Sequence, residues 1–207
     1  MVSHEFKTPL SAFITSANLV VKFFYSDQQG KRNKHLNSIS KGVHHLTGIL
    51  NDFLSIERLE KGKEIYRLTD FSLSKVVNQV VYNANMLLKT GQKINYPMNI
   101  EDEIVHQDEK IISLVLTNLL HNAIKYSPED TEIDIEINFD KDMLRLSVID
   151  RGIGIPEKDQ KHIFERYFRA DNVLITQGTG IGLNIVKYHV ENLGGNINFK
   201  SIENKGS

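Results

Sequence analysis

The most constraining stretch is an apolar stripe with a period of three and four. Leu36, Ile39, Val43, Leu46, Leu50 and Phe53 follow a 3-4-3-4-3 spacing, continued loosely by Ile56 and Leu59. This is a heptad seam of about two and a half repeats, and it predicts a long helix with a narrow apolar face. Upstream, Phe6, Leu10, Phe13, Ala17, Val20 and Phe24 recur at threes and fours, and Ser26-Asp27-Gln28-Gln29-Gly30 interrupts the pattern. Two helices with a short break make an antiparallel hairpin. A hairpin of roughly 60 residues cannot bury two stripes by itself, so pairing of two copies into a four-helix bundle is expected, as a homodimer. Glu60-Lys61-Gly62-Lys63 closes the second helix with a basic last turn and a glycine, which sets a domain boundary at 1–62 and 63–207.

The remainder is an expected α+β unit. Ile65 to Phe71 reads as a strand, Ser72 as the cap of a helix to about Leu88, and Gln92 to Val105 as weak strands broken by Pro97. Asp108 caps a helix from Glu109 to Tyr126. Ile133, Ile135, Ile137 and Phe139 alternate with polar residues, Asp140-Lys141-Asp142 turns the chain, and Leu144, Leu146 and Val148 alternate back. These are half-buried antiparallel strands. A short helix starts at Asp159, Gly180 to Leu193 is helical, and Ile197 to Ile202 is a further strand. Residues 204–207 read as a turn with no returning strand. The expected whole is an α+β sandwich with helices on one face of a mixed sheet.

Charge excludes some partners. The chain has 25 basic and 26 acidic residues in 207, which offers no electrostatic footprint for nucleic acid. No cysteine is present, so there is no disulfide frame and no thiolate metal site. No apolar run approaches the roughly 20 residues of a membrane span. Met1 precedes what looks like mid-helix, so the chain is expected to be part of something longer.

Several residues carry chemistry. Asp150 shares the parity of Leu144, Leu146 and Val148, so a carboxylate falls on a buried face, where it needs donors. Gly152 and Gly154 follow it and permit close approach to the backbone. Ile111, Val115, Asn118, Asn122 and Lys125 form one helical stripe that begins apolar and turns amide and cationic. Asn122 offers a hard oxygen that suits magnesium, and Lys125 a cation for phosphate. Gly178-Thr179-Gly180-Ile181-Gly182-Leu183 opens a helix, and amides there suit a phosphate. It is neither a Walker loop nor a dinucleotide fingerprint. Phe164 and Phe168 are spaced to clamp a segment onto the core, with Arg166 and Arg169 available to anionic oxygens. His4, in Ser3-His4-Glu5-Phe6-Lys7-Thr8-Pro9, is nucleophilic when neutral. Glu5 can take its proton, and Thr8 shares its face if the stretch is helical. Alternatively Thr8 and Pro9 are an N-cap and first helical position, with His4 on a frayed tail. His35, His44, His45, His106, His121, His162 and His189 lack metal-ligand spacing and read as surface or helix-face residues.

The order of these motifs resembles the catalytic core of a sensor histidine kinase of two-component signalling. Ser3 to Leu10 resembles the phosphoacceptor box, Asn118 to Tyr126 the asparagine box, and Asp150 to Ile155 the first glycine box. Phe164 to Phe168 resembles the phenylalanine box and Gly178 to Leu183 the second glycine box. Five boxes in order cover nearly the whole chain. The resemblance implies a dimeric helical hairpin followed by the ATP-binding sandwich of the gyrase/MutL type. It implies that Asp150 accepts from the adenine amine, Asn122 ligates magnesium with Asn118 beside it, Lys125 contacts phosphate, and Tyr126 packs near the base. Gly152, Gly154, Arg169, Gly178, Thr179, Gly180, Gly182 and Leu183 complete the nucleotide site. His4 would attack the γ-phosphate with Glu5 as general base, and Thr8 would orient water for a phosphatase reaction on the partner. That partner is the receiver domain of a response regulator. The chain would be a cytoplasmic part of a membrane-anchored sensor, meeting the membrane only through upstream segments. The family's last strand is expected after Ser207. An ATPase of the same superfamily that uses no histidine, or a dimeric scaffold with a dead site, would lack the pairing of His4 with an intact Asn122, Asp150 and glycines.

Overall fold

The computed structural model describes residues 2–22, 28–60, 65–97, 103–140, 143–173 and 178–207. Side chains of residues 2–9 and of much of 41–60 lie outside that description. So do the expected turns at 26–27 and 141–142 and the boundary at 62–63.

Helix α1 (Val2–Lys22) and helix α2 (Gln29–Glu60) pack against each other as the expected hairpin. Gln29 and Gly30 fall inside the first turn of α2 rather than in the break where the sequence put them. Thr8 and Pro9 lie within α1. The N-cap reading of Thr8 therefore fails, and His4 and Thr8 sit four residues apart on one continuous helix, about one turn. The seam is open in the single chain: Leu36, Val43 and Leu50 are 45%, 46% and 48% exposed, and Leu10 and Ile14 on α1 are exposed too. No helix among the described residues is long and apolar enough to cross a membrane.

The second unit builds its core from three amphipathic pieces. Helix α3 (Leu73–Asn85) buries Leu73, Val76, Val77, Val80, Val81 and Ala84, spaced by threes and fours. Helix α4 (Glu109–Tyr126) buries Leu116, Leu120, Ala123 and Ile124 against them. Strand β4 (Glu132–Asp140) adds Ile133 and Ile135 from its inner face. Leu73, Leu116, Leu120 and Ile133 are fully buried, each stabilising by about 1.5–3 kcal/mol relative to exposure.

Two small sheets carry these helices. Strand β1 (Thr69–Ser72) pairs antiparallel with β3 (Ile104–Gln107). Strand β2 (Lys93–Asn95) pairs parallel with β4, and β4 pairs antiparallel with β5 (Met143–Ile149), so the three-stranded sheet is mixed as expected. The first strand is shorter than the sequence implied, starting at Thr69 rather than Ile65. Asp108 caps α4 as expected. Its Oδ1 accepts from the amides of Lys110 and Ile111 at 3.0 and 3.2 Å, and its Oδ2 from the Arg67 amide at 2.7 Å. One carboxylate thus anchors both α4 and the segment that leads into the unit.

Past β5 come the short helix α5 (Glu157–Gln160) and helix α6 (Gly182–Asn192). Ile185, Val186 and His189 of α6 face inward, and Val186 meets Ile111 and Val115 on the second face of α4. Two corrections concern this end. Ile197 to Ile202 is not a strand; its backbone forms only an isolated bridge from Ile202 to Gly206. The turn at 203–205 does bring the chain back, because the Asp150 amide donates to the Ser207 carbonyl at 2.8 Å.

Candidate functional site

Three segments meet beside the C-terminal half of α4. The first is α4 itself. Asn118 is held by its own helix, its Nδ2 donating to the Leu114 carbonyl at 3.0 Å. Asn122, one turn on, is half-buried, and among the described residues nothing is hydrogen-bonded to its amide. Lys125 Nζ donates to the Tyr126 hydroxyl at 2.9 Å and lies 4.6 Å from that ring's centroid.

The second segment is the turn after β5. Asp150 is half-buried, and its Oδ1 accepts from the Gly152 amide at 2.8 Å. Burial raises the Asp150 carboxyl above the usual carboxylate range, while the amides of Gly152 and Ser207 pull it back down. The Ile153 amide donates to the Tyr126 carbonyl at 3.2 Å, which fixes this turn to the end of α4. Gly154 has φ +60°, and a methyl there would lie 2.0 Å from the Ile202 carbonyl oxygen. Only glycine fits.

The third segment leads into α6. A methyl on Gly178 would lie 2.5 Å from Lys125 Nζ, and one on Gly182 would lie 2.7 Å from Asn118 Oδ1. The glycine segment therefore lies directly on the polar stripe of α4. Gly180, at φ +69°, sits where a methyl would be 2.6 Å from the Phe168 carbonyl oxygen. Thr179 and Leu183 are half-buried in the same stretch. The structure thus brings Asn118, Lys125, Tyr126, Asp150, Gly152, Gly178, Gly180 and Gly182 together. Asn122 lies between Asn118 and Lys125 on the same face of α4.

Other expected residues take more local duties. Phe164 meets Phe199 edge-on at 5.8 Å with Lys187 Nζ 5.5 Å from its ring, and Phe168 packs on His162 at 5.4 Å. Phe164 thus ties the segment before the glycines to Phe199, whereas Phe168 packs within that segment and does not clamp it onto the core as the spacing suggested. Arg169 donates to the Val173 carbonyl at 2.6 Å, inside its own segment. His189 is not a surface residue: it is 3% exposed, and its Nδ1 lies 3.0 Å from the Tyr66 hydroxyl. Its position four residues after Ile185 puts it on the inner face of α6. His4, Glu5 and Thr8 lie on α1, outside this cluster, and their side chains lie outside the described residues.

Sequence reasoning missed two supports. Asn184 donates to the Phe164 carbonyl at 2.8 Å, tying α6 to the clamp. The returning turn near residue 204 braces the Asp150 turn, with the Asn204 amide donating to the Ile153 carbonyl at 2.7 Å and the Ile155 amide to Ser201 Oγ at 2.8 Å. The only sequence signal for this brace was an Asn-Lys-Gly turn whose partner lies some 50 residues away.

Comparison with known proteins matches two stretches of the chain to known families. Residues 1–62 match the family described as His Kinase A (phospho-acceptor) domain. Residues 107–207 match the family described as Histidine kinase-, DNA gyrase B-, and HSP90-like ATPase. The signal transduction histidine-protein kinase BarA of Escherichia coli K12 is 33% identical over 218 residues, covering 100% of this chain and 23% of BarA. The chain spans about a quarter of the first curated relatives it matches. Among solved structures, a chain of Acinetobacter baumannii histidine kinase AdeS aligns at a TM-score of 0.68 and 20% identity, over 98% of this chain and 93% of that solved chain, which shows the shared fold. Full-length ShkA in complex with AMPPNP aligns at 0.67 and 25% identity, over 99% of this chain and 42% of ShkA. With the phospho-acceptor and ATPase units joined in this order, the chain belongs to the sensor histidine kinases and carries their catalytic core.

Proposed function

We propose that this chain phosphorylates itself on His4 with ATP and passes the phosphoryl group to an aspartate of a response-regulator receiver domain. Residues 1–62 form the dimerising phosphotransfer unit and residues 63–207 the nucleotide-binding unit. A neutral imidazole nitrogen of His4 attacks the γ-phosphorus, the bond to the β–γ bridging oxygen breaks, and ADP leaves. Glu5 takes the imidazole proton, which restores a neutral phosphorylated ring. Asp150, through its carboxylate, accepts from the adenine exocyclic amine. Tyr126 packs near the base, and Lys125 meets the phosphates. The amides from Gly178 to Leu183 meet the phosphates too, where the start of α6 favours negative charge.

The donor set also fits a magnesium ion. Asn122 offers a hard amide oxygen that no described residue occupies, with Asn118 beside it. When bound, such an ion neutralises charge on the phosphate oxygens. In the reverse direction, Thr8 orients water at the phosphorylated receiver. A longer protein would place this core on the cytoplasmic side of a membrane-anchored sensor.

The observation that carries this reading is the convergence of the amide and cationic stripe of α4, the Asp150 turn and the glycine segment at one place. The test uses γ-labelled ATP. The unaltered chain should take up label that is labile in acid and stable in base. His4→Gln should take up none while binding ATP as before. Label retained in His4→Gln, or ATP binding lost with it, would overturn the assignment.

A further inference from the structure

A helix ends with carbonyls that its own amides cannot reach. At the end of α4, each of these has a separate partner. The Ala123 carbonyl accepts from the Ser127 amide at 3.0 Å, and the Tyr126 carbonyl from Ile153. The two between them are met from the loop that precedes β2. The Ile124 carbonyl accepts from Gln92 Nε2 at 3.2 Å, and the Lys125 carbonyl accepts from Lys89 Nζ at 2.8 Å. Both side chains continue into the next turn. Gln92 also donates to the carbonyls of Ser127 and Pro128 at 3.2 and 3.0 Å, and Lys89 to Ser127 at 2.5 Å.

The two residues are built to act together. Gln92 is 6% exposed, and its Oε1 accepts from the Lys89 amide at 2.9 Å. The Gln92 amide returns a bond to the Lys89 carbonyl at 3.1 Å. Between them, Gly91 has φ +71°, and a methyl there would lie 1.8 Å from Asp130 Oδ1. The loop therefore closes tightly over the segment that ends α4. An ammonium at a helix C-terminus meets the negative end of its dipole, which is the favourable sign.

We propose that Lys89 and Gln92 are positioning residues of the nucleotide site, holding the last turn of α4 so that Lys125 meets the phosphates at the right height. This rests on the nucleotide reading given above. Lys89 touches the backbone of Lys125 itself, while the Lys125 side chain faces Gly178 and Tyr126. A shift of that turn would displace the Lys125 cation from the glycine segment directly and reach the Asp150 carboxylate only through the bond from the Ile153 amide to the Tyr126 carbonyl, so the phosphate end should lose more than the adenine end.

The test compares ATP with adenosine. Lys89→Met keeps the stem and removes the donor. It should weaken ATP binding by about three- to tenfold, the scale of one charge-assisted hydrogen bond partly transmitted, and weaken adenosine much less. Lys89→Arg should restore most of the loss. Gln92→Glu, which keeps the shape and loses the donor, should act in the same direction, and a melt of each variant reports folding. A lowered melting point with unchanged ATP affinity, or equal losses for ATP and adenosine, would overturn the proposal and leave Lys89 a helix cap alone. Failure of the unaltered chain to bind ATP would overturn the site reading, and this one with it.

Discussion

The Gly152 amide donates to Oδ1 of Asp150 at 2.8 Å, two residues away along the same turn. This contact occupies one carboxylate oxygen and aims the group. The Ser207 amide also reaches the carboxylate, and no described residue donates a side-chain hydrogen bond to it. A half-buried carboxylate held in this manner is set up to meet something that the chain does not supply.

Asp150→Asn should therefore cost binding and spare the fold. Losing a hydrogen bond to a charged acceptor is worth roughly 1.5–3 kcal/mol, or about ten- to hundredfold in ATP affinity. Asparagine still offers a carbonyl oxygen to the Gly152 amide, so the turn survives. Calorimetric titration with ATP beside a thermal melt checks both halves. Retained affinity with a collapsed melting point would make Asp150 a structural residue.

The same carboxylate gives a pH dependence. Burial raises its folded-state pKa, so the folded chain binds this proton more readily than the unfolded chain. The stability it contributes is present below the unfolded value and is lost as pH rises through the folded one. ATP affinity should move the opposite way, falling on acidification at a higher pH than an ordinary carboxylate would give. At neutral pH, Asp150→Asn should melt no lower than the parent, and the acid limb of the affinity profile should flatten in it. An unaltered acid limb in the variant would assign that limb to another group.

The open seam on α2 predicts self-association. Val43→Glu with Leu46→Glu would place carboxylates on the face that Leu36 and Leu50 share, and each buried charge would cost on the order of several kcal/mol. The double variant should sediment as a monomer and still bind ATP. A persistent dimer would move the interface elsewhere.

Thr8→Ala separates the two reactions of the hairpin. Thr8 lies inside α1, not at its start, so no cap is lost with its hydroxyl. Autophosphorylation should proceed at the parent rate, and decay of the phosphorylated response regulator, followed with ADP present, should slow by about tenfold or more, the scale of one positioned hydrogen bond. Equal losses in both time courses would refute a water-orienting role.

Much of this architecture was legible from spacing. Asp108 and Tyr126 bound α4 where an N-cap and the end of the stripe put them, and the alternation from Ile133 to Val148 gave the hairpin of β4 and β5. The polar half of the α4 stripe and the parity of Asp150 pointed to two walls of the candidate site, which the fold brings together. Ile197 to Ile202 misled because alternation reports which face a side chain takes, not whether the backbone finds a ladder. Ile197 does pack on the α4–α6 core, and Phe199, though exposed, meets the Phe164 ring, yet Ile202 alone gains a bridge. The inward turn of His189 depended on Tyr66, more than a hundred residues upstream. Lys89 and Gln92 carried no signal at all, since a lysine and a glutamine beside a glycine also describe an ordinary loop.

The bond from the Ile153 amide to the Tyr126 carbonyl has a thermodynamic consequence. It joins the wall that carries Asp150 to the turn that carries Lys125, and Tyr126 belongs to both. The ends proposed for adenine and for phosphate are then energetically one unit. Free-energy losses from paired substitutions at Asp150 and Lys125 will not sum, and a double-mutant cycle between them will return a coupling term of about 0.5–3 kcal/mol. Groups on opposite sides of a ligand will read as neighbours because one peptide bond is shared between their supports.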